Sequence, residues 1–321
     1  MRGRVVKLDR GYPLVRLEDG TEVRCEHAVA LVKTKEHRAV IGDEVEIELP
    51  EGHDKGRIVE VSPRRTSFVR KDPTERALPQ TLAANFDLVL VAQPFDQVNT
   101  RRLERELVLA HETGAEVVVV LTKADLLTDE SQAKAVLKSI EGFVGNDKVM
   151  VLSGEDRASI DAVADLIADG DKVAILVGRS GVGKSTLVNM LVGYELQKTT
   201  EVREDGKGRH TTVSREIIKL PRGGYIVDMP GVRGLGLWDA EEGIGAAFSD
   251  VEELAASCKF RDCSHTNEPG CAVQAAVADG SLATHRLESY LRLKDESAEV
   301  RRRRTEAERI RTRRGHPRRR R

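Results

Sequence analysis

The stretch Gly178-Arg179-Ser180-Gly181-Val182-Gly183-Lys184-Ser185 decides the fold of this chain. It fits the pattern G-x-x-x-x-G-K-[ST], and it lies between an apolar run at 173–177 and a helical pattern at 186–191. In that strand–loop–helix setting the glycines let main-chain N–H groups approach phosphate oxygens, and the helix start adds a positive dipole end. We expect Lys184 to reach the β- and γ-phosphates and the Ser185 hydroxyl to bind Mg²⁺. The stretch therefore predicts a nucleoside-triphosphate site.

The chain around this loop alternates strand-like and helix-like segments. Apolar runs typical of buried strands recur at 88–92, 117–121, 149–152, 173–177 and 225–227. Helical patterns lie between them at 100–112, 131–140 and 159–167. Such alternation indicates an α/β domain with a mainly parallel sheet, which we place at 83–245.

A second motif, Asp228-Met229-Pro230-Gly231, follows the last of these strand-like runs, about forty residues after the phosphate loop. A carboxylate at that strand end can hold the Mg²⁺ shell, and the N–H of Gly231 can meet the γ-phosphate. A D-x-P-G pattern is weak evidence alone, but its distance from the phosphate loop strengthens it. Many GTPases place a water-orienting glutamine just after this motif, whereas Val232 follows here. We therefore expect slow hydrolysis by the isolated protein.

A third motif, Thr122-Lys123-Ala124-Asp125, follows the strand-like run at 117–121. It resembles the [NT]-K-x-D guanine-reading motif of GTPases. The Asp125 carboxylate would accept hydrogen bonds from N1–H and N2–H₂ of guanine, a donor pair that adenine lacks. The aliphatic part of Lys123 would lie over the base.

The order of the three motifs is unusual. Most GTPases have the phosphate loop first and the base-reading motif late, whereas here Thr122–Asp125 precedes Gly178–Ser185. The domain is therefore interpreted as circularly permuted, and a second guanine-side loop at Leu152-Ser153-Gly154 also falls before the phosphate loop. The residues that we expect to contact the nucleotide are Thr122, Lys123, Ala124, Asp125, Ser153, Gly178, Arg179, Ser180, Gly181, Val182, Gly183, Lys184, Ser185, Thr186, Asp228 and Gly231.

The N-terminal part, 1–65, has an all-β pattern. Val45, Ile47 and Leu49 alternate with glutamates, and further short strand-like runs lie between turn signals. Five short strands in about sixty residues favour an OB-like barrel, a frequent oligonucleotide platform. Cys25 falls on one of these strands and is expected in the core. The basic, proline-bounded stretch that begins at 63 is expected to lead through a linker over 66–82.

Charge is distributed unevenly along the 321 residues. Residues 301–321 hold twelve arginines and two glutamates, a net charge of +10, so the rest of the chain carries −11. An arginine-rich tail, 296–321, on an acidic body suggests a polyanionic partner, most plausibly nucleic acid. The other interpretation is a poorly ordered, solubilising tail.

These motifs together resemble the circularly permuted, small-ribosomal-subunit-dependent GTPases of the RsgA/YjeQ family, over about residues 1–293. The resemblance implies a multidomain chain: an N-terminal OB-like RNA-binding barrel, a central permuted P-loop GTPase domain and a C-terminal, mostly helical zinc domain at 246–295. It implies GTP hydrolysis to GDP and phosphate, stimulated by the small ribosomal subunit, and a role in late maturation of that subunit. The expected partners are that subunit with its rRNA, and GTP or GDP with Mg²⁺.

Two further segments match the family. Gly206-Lys207-Gly208-Arg209-His210-Thr211-Thr212 resembles its mobile switch loop, in which Thr211 or Thr212 would meet Mg²⁺ and the γ-phosphate. His210 stands where the family has a histidine proposed to assist hydrolysis. The other interpretation is an exposed loop histidine.

The other segment holds three of the four cysteines, in the pattern Cys258-x4-Cys263-x-His265-x5-Cys271. Three thiolates and one imidazole form a closed tetrahedral set that suits one structural Zn²⁺ and leaves no position for a catalytic water.

Two other functions would each leave some of these motifs unexplained. A P-loop phosphotransferase acting on a small molecule would not need Thr122–Asp125, a barrel or a basic tail. An RNA-binding protein with a vestigial nucleotide site would not need Lys184, Ser185 and Asp228 intact.

The longest apolar run, 117–121, is too short for a membrane span, and no leader pattern follows Met1. We therefore expect a cytoplasmic protein that does not bind membranes, as a monomer.

Overall fold

The residues that the computed structural model describes are 1–9, 12–29, 31, 38–71, 79–127, 129–145, 147–193, 215–228, 236–238 and 240–315. The predicted switch loop with His210, Thr211 and Thr212 lies outside the described residues, and so does Gly231. Asp228 is described as the last residue of a strand.

Five strands form the N-terminal barrel in the described residues, as the sequence predicts. They are β1 (Arg2–Asp9), β2 (Tyr12–Leu17), β3 (Glu22–His27), β4 (Glu44–Glu48) and β5 (Gly56–Val61). The sheet closes because β1 pairs with both β2 and β4, while β3 and β5 pair in parallel between them. Alternate apolar residues fill the interior, including Val5, Val15 and Ile58. Cys25 is fully buried there, which confirms its expected place in the core.

The segment expected to be a linker is instead a hairpin of β6 (Ser67–Lys71) and β7 (Pro79–Ala84). Phe68 and Leu82 are buried in the main core, so burial of apolar side chains outweighs the prolines and basic residues on which the linker prediction relied. The hairpin is also tied to the barrel, since the Ala84 N–H donates to the Ile41 carbonyl at 2.9 Å.

The central domain is the predicted α/β unit. Its elements are β8 (Leu88–Pro94), α1 (Thr100–His111), β9 (Glu116–Thr122), α2 (Glu130–Val144), β10 (Lys148–Val151), α3 (Arg157–Ala168), β11 (Val173–Val177), α4 (Lys184–Val192), β12 (Arg215–Lys219) and β13 (Tyr225–Asp228). The strand order is β10-β9-β8-β11-β13-β12, parallel except for β12. Residues of α1 and α2 cover one face, and residues of α3 and α4 cover the other.

The barrel and the central sheet are joined edge to edge. Strand β1 pairs antiparallel with β12, with Lys7 opposite Glu216 and Leu8 opposite Arg215. The Lys7 ammonium also lies 2.6 Å from the Glu216 carboxylate. One eleven-stranded sheet therefore runs through both domains in the described part of the chain.

The C-terminal part is helical, with α5 (Glu241–Ala247), α6 (Ser249–Ala255), α7 (Ala272–Asp279) and α8 (Thr284–Gly315). The expectation of poor order beyond 296 is wrong for 296–315, because α8 continues through them. Arginine and glutamate are good helix formers, and Glu299 pairs with Arg302 and Arg303 one turn later. Among the described residues, no helix is both long and apolar enough to cross a bilayer.

Candidate nucleotide site and metal centre

The phosphate loop joins β11 to α4, as predicted. The first glycine, Gly178, packs against the neighbouring strand: a Cβ there would lie 2.6 Å from the carbonyl oxygen of Ala92. Gly183 has φ +94°, a left-handed conformation that favours glycine, immediately before α4 begins at Lys184. Main-chain N–H groups at this helix start suit phosphate oxygens.

Lys184 lies across its own loop. Its ammonium donates to the carbonyls of Gly178 and Arg179 at 2.6 and 2.7 Å. Val182 is buried, whereas Arg179, Ser180 and the first-turn Thr186 are exposed. The loop is therefore shaped around the lysine, with its polar tip open to solvent.

The strand that ends at Asp228 lies directly beside the phosphate-loop strand. Ile175 of β11 pairs in parallel with Val227 of β13, so the carboxyl ends of both strands meet at one edge of the sheet. Ser185, half-buried in the first turn of α4, is at the same edge. Serine and aspartate are residue types whose oxygens Mg²⁺ prefers as ligands.

Thr122 ties the base-reading motif to the phosphate loop. Its hydroxyl is buried and lies 2.5 Å from the Val182 carbonyl and 3.2 Å from the Gln93 carbonyl. Gly183 is close by, since a Cβ there would lie 3.4 Å from the same hydroxyl oxygen. The two predicted motifs, sixty residues apart in the chain, therefore form one site.

The two guanine-side loops are also brought together. The Asp125 carboxylate accepts a hydrogen bond from the Gly154 N–H at 3.0 Å, and the Ala124 N–H donates to the Leu152 carbonyl at 3.0 Å. Ser153 stands between these two contacts, and its hydroxyl accepts from the Glu155 N–H at 3.1 Å. Asp125 is exposed, so its second oxygen can face a base. Lys123 has φ +60° at the turn that presents it.

Sequence reasoning missed two buried polar residues behind these loops. Gln93 is the penultimate residue of β8 and Glu106 lies on α1, and their side chains are joined by a 2.5 Å hydrogen bond. Burial raises the pKa of Glu106, and the charges of Arg102 and Lys184 oppose that effect. A glutamate on the apolar face of an otherwise core-facing helix was the one available signal.

The cysteine cluster has the geometry of a metal centre. The ligand atoms of Cys258, Cys263, His265 and Cys271 all lie within 4.8 Å of one another. His265 Nδ1 is 3.6 Å from the Cys258 sulfur and 3.5 Å from the Cys271 sulfur, and those sulfurs are 3.8 Å apart. Tetrahedral zinc with Zn–S of about 2.3 Å and Zn–N of about 2.0–2.1 Å requires separations of about 3.8 Å and about 3.5 Å. The four residues therefore fit a zinc ion.

The cluster is held by its own loop. Gln274 donates to the His265 carbonyl at 2.6 Å, and the Glu268 carboxylate accepts from the N–H and hydroxyl of Ser264 at 2.9 and 2.5 Å. These Ser264 hydrogen bonds lower the pKa of Glu268 to about 2. His265 and Cys271 are buried, so the centre is closed to solvent on that side.

Arg286 connects the C-terminal helices to the central domain. It is almost fully buried, makes two hydrogen bonds to Asp250 at 2.8 and 3.0 Å, and stacks 4.1 Å above the Phe248 ring. Its third nitrogen lies 3.7 Å from the buried Glu104 of α1. Burial raises the pKa of Glu104. A second pair, Arg105 with Glu296, joins the same two helices.

Strand order and motif order together define the class of protein: a circularly permuted P-loop GTPase with a barrel before it and a helical Cys₃His domain after it. The RsgA GTPase family model matches residues 61–238. The chain belongs to the RsgA GTPase family, and it is an enzyme that hydrolyses GTP.

Relatives and solved structures agree with this assignment. A protein of Streptomyces avermitilis named small ribosomal subunit biogenesis GTPase RsgA is 41% identical, over 94% of this chain and 80% of its own. A Methanosarcina acetivorans protein of the same name is 41% identical over 85% of this chain and 75% of its own. The crystal structure of YjeQ from Thermotoga maritima superposes with a TM-score of 0.67 at 26% identity, covering 92% of this chain and 98% of that one. YloQ, described as a circularly permuted GTPase, shares the fold with a TM-score of 0.65 at 24% identity, over 93% and 95% of the two chains.

Proposed function

We propose that this GTPase binds the maturing small ribosomal subunit, hydrolyses GTP slowly when alone and faster on the subunit, and leaves after hydrolysis. The observation that carries the proposal is the joined site, in which Thr122 links the phosphate loop to an Asp125–Gly154 guanine pocket. The names of the relatives, which cover most of the chain, give the process. Slow turnover suits a timed checkpoint better than a metabolic enzyme.

Within the site each residue has a distinct role. Lys184 neutralises the β- and γ-phosphates, and Ser185 with Asp228 would hold the Mg²⁺ that accompanies GTP. Asp125 selects guanine, and Lys123 covers the base. Gly231, His210 and one of Thr211 and Thr212 remain predicted contacts of the γ-phosphate and the attacking water, because they lie outside the described residues.

One Zn²⁺ would have a structural role at the Cys₃His cluster. All four ligand positions are filled by protein donors, so no position remains for a reacting water. The ion would fix the loop between α6 and α7, and with it the start of the helix whose N-cap is Cys271.

Both accessory domains would contact rRNA. The barrel is an established type of oligonucleotide platform. Helix α8 carries Arg302, Arg303 and Arg309 exposed to solvent, where guanidinium groups can reach phosphates. We place the protein in the cytoplasm, as a monomer that does not bind membranes.

The test is GTP turnover with and without purified small ribosomal subunits at low salt. We expect stimulation by orders of magnitude, no comparable effect of large subunits, and little turnover of ATP. Lys184→Ala is the inactive control, and His210→Ala should keep subunit binding but lower the stimulated rate. Turnover that small subunits leave unchanged would contradict the proposal.

A further inference from the structure

Glu106 is a fully buried carboxylate that none of the GTPase motifs includes. One of its oxygens accepts from the side-chain amide of Gln93 at 2.5 Å, and the other accepts from Arg102 Nε at 2.8 Å. A buried carboxylate is costly unless it is hydrogen-bonded and paired, and both conditions hold here. Such a group fixes its partners strongly.

Its partner Gln93 contacts the base-reading motif through its main chain and directly follows the residue that contacts the phosphate loop. Gln93 lies opposite Leu121, just before Thr122 on β9, and its carbonyl accepts from the Thr122 hydroxyl at 3.2 Å. The preceding residue, Ala92, is the backbone against which Gly178 packs. A shift of Gln93 would therefore move the base-reading loop and the phosphate loop together.

The charge of Glu106 also reaches the phosphate loop. Lys184 is close enough that its positive charge counteracts the effect of burial on the Glu106 pKa. By reciprocity, an ionised Glu106 partly neutralises the charge of Lys184. A negative charge in that position weakens the attraction between Lys184 and the phosphates.

We propose that Glu106 is a positioning residue of the GTPase site. It holds Gln93, and through Gln93 it holds the Thr122 tether, the hydroxyl contact that joins Thr122 to the phosphate loop. Its charge also weakens the binding of GDP phosphates by Lys184. The anchoring and the charge can be separated by two substitutions. Glu106→Gln keeps an acceptor for the Gln93 amide but removes the charge, whereas Glu106→Ala removes both.

A purely structural role in α1 would make both substitutions act in the same direction, through loss of stability. The proposed role makes them act in opposite directions on nucleotide release. Glu104→Gln is the matched control, because Glu104 is a buried carboxylate on the same helix that faces Arg286 instead of the nucleotide site.

The experiment measures dissociation of a fluorescent GDP analogue from the full-length chain by stopped flow, with thermal unfolding recorded in parallel. We expect Glu106→Gln to release GDP about threefold more slowly than the wild type. We expect Glu106→Ala to release it about tenfold faster, because an anchoring hydrogen bond to a charged group is lost. Glu104→Gln should leave release unchanged.

A second measurement tests the path through Thr122. Because Glu106→Ala and Thr122→Ala would break the same tether, their combined effect on GDP release should be smaller than the product of the two single effects. The proposal is overturned if Glu106→Gln and Glu106→Ala shift release in the same direction, if Glu106→Gln releases GDP at the wild-type rate, or if the two alanine effects multiply in full.

Discussion

The nucleotide pocket and the cysteine cluster are built in opposite ways. The pocket takes its residues from the ends of β9, β11 and β13 and from the turn after β10, and it stays open to solvent at Asp125 and Ser180. The cluster takes four donors from fourteen consecutive residues, 258–271, and brings their ligand atoms within 4.8 Å of one another. A site for an exchanging ligand depends on the whole sheet, whereas a site for a resident ion depends on one short loop.

The two sites nevertheless share one hydrophobic core. A continuous cluster of buried residues runs from Phe68 in the β6–β7 hairpin, through α1, to Cys271 and Tyr290. Burial and the neighbouring Glu252 raise the pKa of Tyr290, whose ring lies 6.2 Å from that of His265. Whether the sites are independent in function is therefore a question for experiment, and three substitutions and one deletion address it.

The largest effect is expected from removal of a zinc ligand. Cys271→Ser should abolish stoichiometric zinc, because structural zinc sites contribute about 10–16 kcal/mol of apparent binding free energy in small zinc domains. The segment 258–271 should then exchange its amide hydrogens rapidly, while GDP affinity stays within about twofold, as expected for distant sites. Elemental analysis, hydrogen exchange and calorimetry measure these three quantities.

Cys25→Ala is the matched control, since Cys25 is equally buried but lies in the barrel. It should keep one zinc per chain. The zinc assignment would be contradicted if wild-type protein purified without chelator contained no zinc. A large loss of GDP affinity in Cys271→Ser would show that the two sites are coupled.

The next largest effect is expected where the two regions meet. Arg286→Met should lower the free energy of unfolding by about 3–5 kcal/mol, because Glu104 and Asp250 are left without their cation. Urea unfolding measures the loss. Arg286→Lys, which keeps the charge but not the paired hydrogen bonds, should lose less.

The loss should also depend on pH. Burial already raises the pKa of Glu104, and Arg286 is among the charges that hold it down, so the substitution should raise it further. A group whose pKa is raised in the folded state stabilises the folded protein at low pH, and this stabilisation is lost as the pH rises through the folded-state pKa. The deficit of Arg286→Met should therefore be smaller at pH 5 than at pH 7. An equal loss of unfolding free energy at both pH values would mean that the charge of Arg286 does not affect the pKa of Glu104.

A smaller effect is expected at the open site. Asp125→Asn should weaken the binding of GTP by about 2–4 kcal/mol, because the guanine donors lose a charged acceptor. The substitution should also favour the binding of xanthine nucleotides. Titration calorimetry with GTP, ATP and xanthosine triphosphate tests this, with no change expected in zinc content. Asp129→Asn, at the exposed N-cap of α2, is the control. Equal wild-type affinity for ATP and GTP would refute the guanine pocket.

The smallest effect concerns the outer end of α8. Deletion of 301–321 should flatten the salt dependence of small-subunit binding, since each lost phosphate contact removes about one unit of slope. Intrinsic GTP turnover should stay unchanged, although Arg301 pairs with Glu241 and Arg304 lies 5.6 Å from the Trp238 ring. An unaltered salt slope would assign the arginines to solubility alone.

The sequence by itself determined the motifs and their order. The glycine spacing of Gly178–Ser185, the position of Thr122–Asp125 before it and the Cys₃His spacing are local patterns, and each pattern needs only its own few residues to specify its chemistry. From their order the permuted fold could be predicted, and the structure confirms it. Two segments depart from the sequence-based expectation: 67–71 and 79–84 are paired strands with Phe68 and Leu82 buried, and helix-forming residues carry α8 past 296.

Only the tertiary structure decided which distant side chains meet. Glu106 reaches Gln93 across thirteen positions of the chain, and Thr122 reaches Val182 across sixty. The Arg286–Glu104 contact and the Lys7–Glu216 rung between barrel and sheet join residues still farther apart. A charged residue on a helix is ordinarily on its solvated face, so the local sequence does not predict the burial of Glu104 and Arg286. For Glu106, its place on the apolar face of α1 was the one signal. Packing of α8 against the central domain buries Glu104 and Arg286 as a pair. Glu106 is buried within the central domain, where Gln93 and Arg102 offset its loss of water.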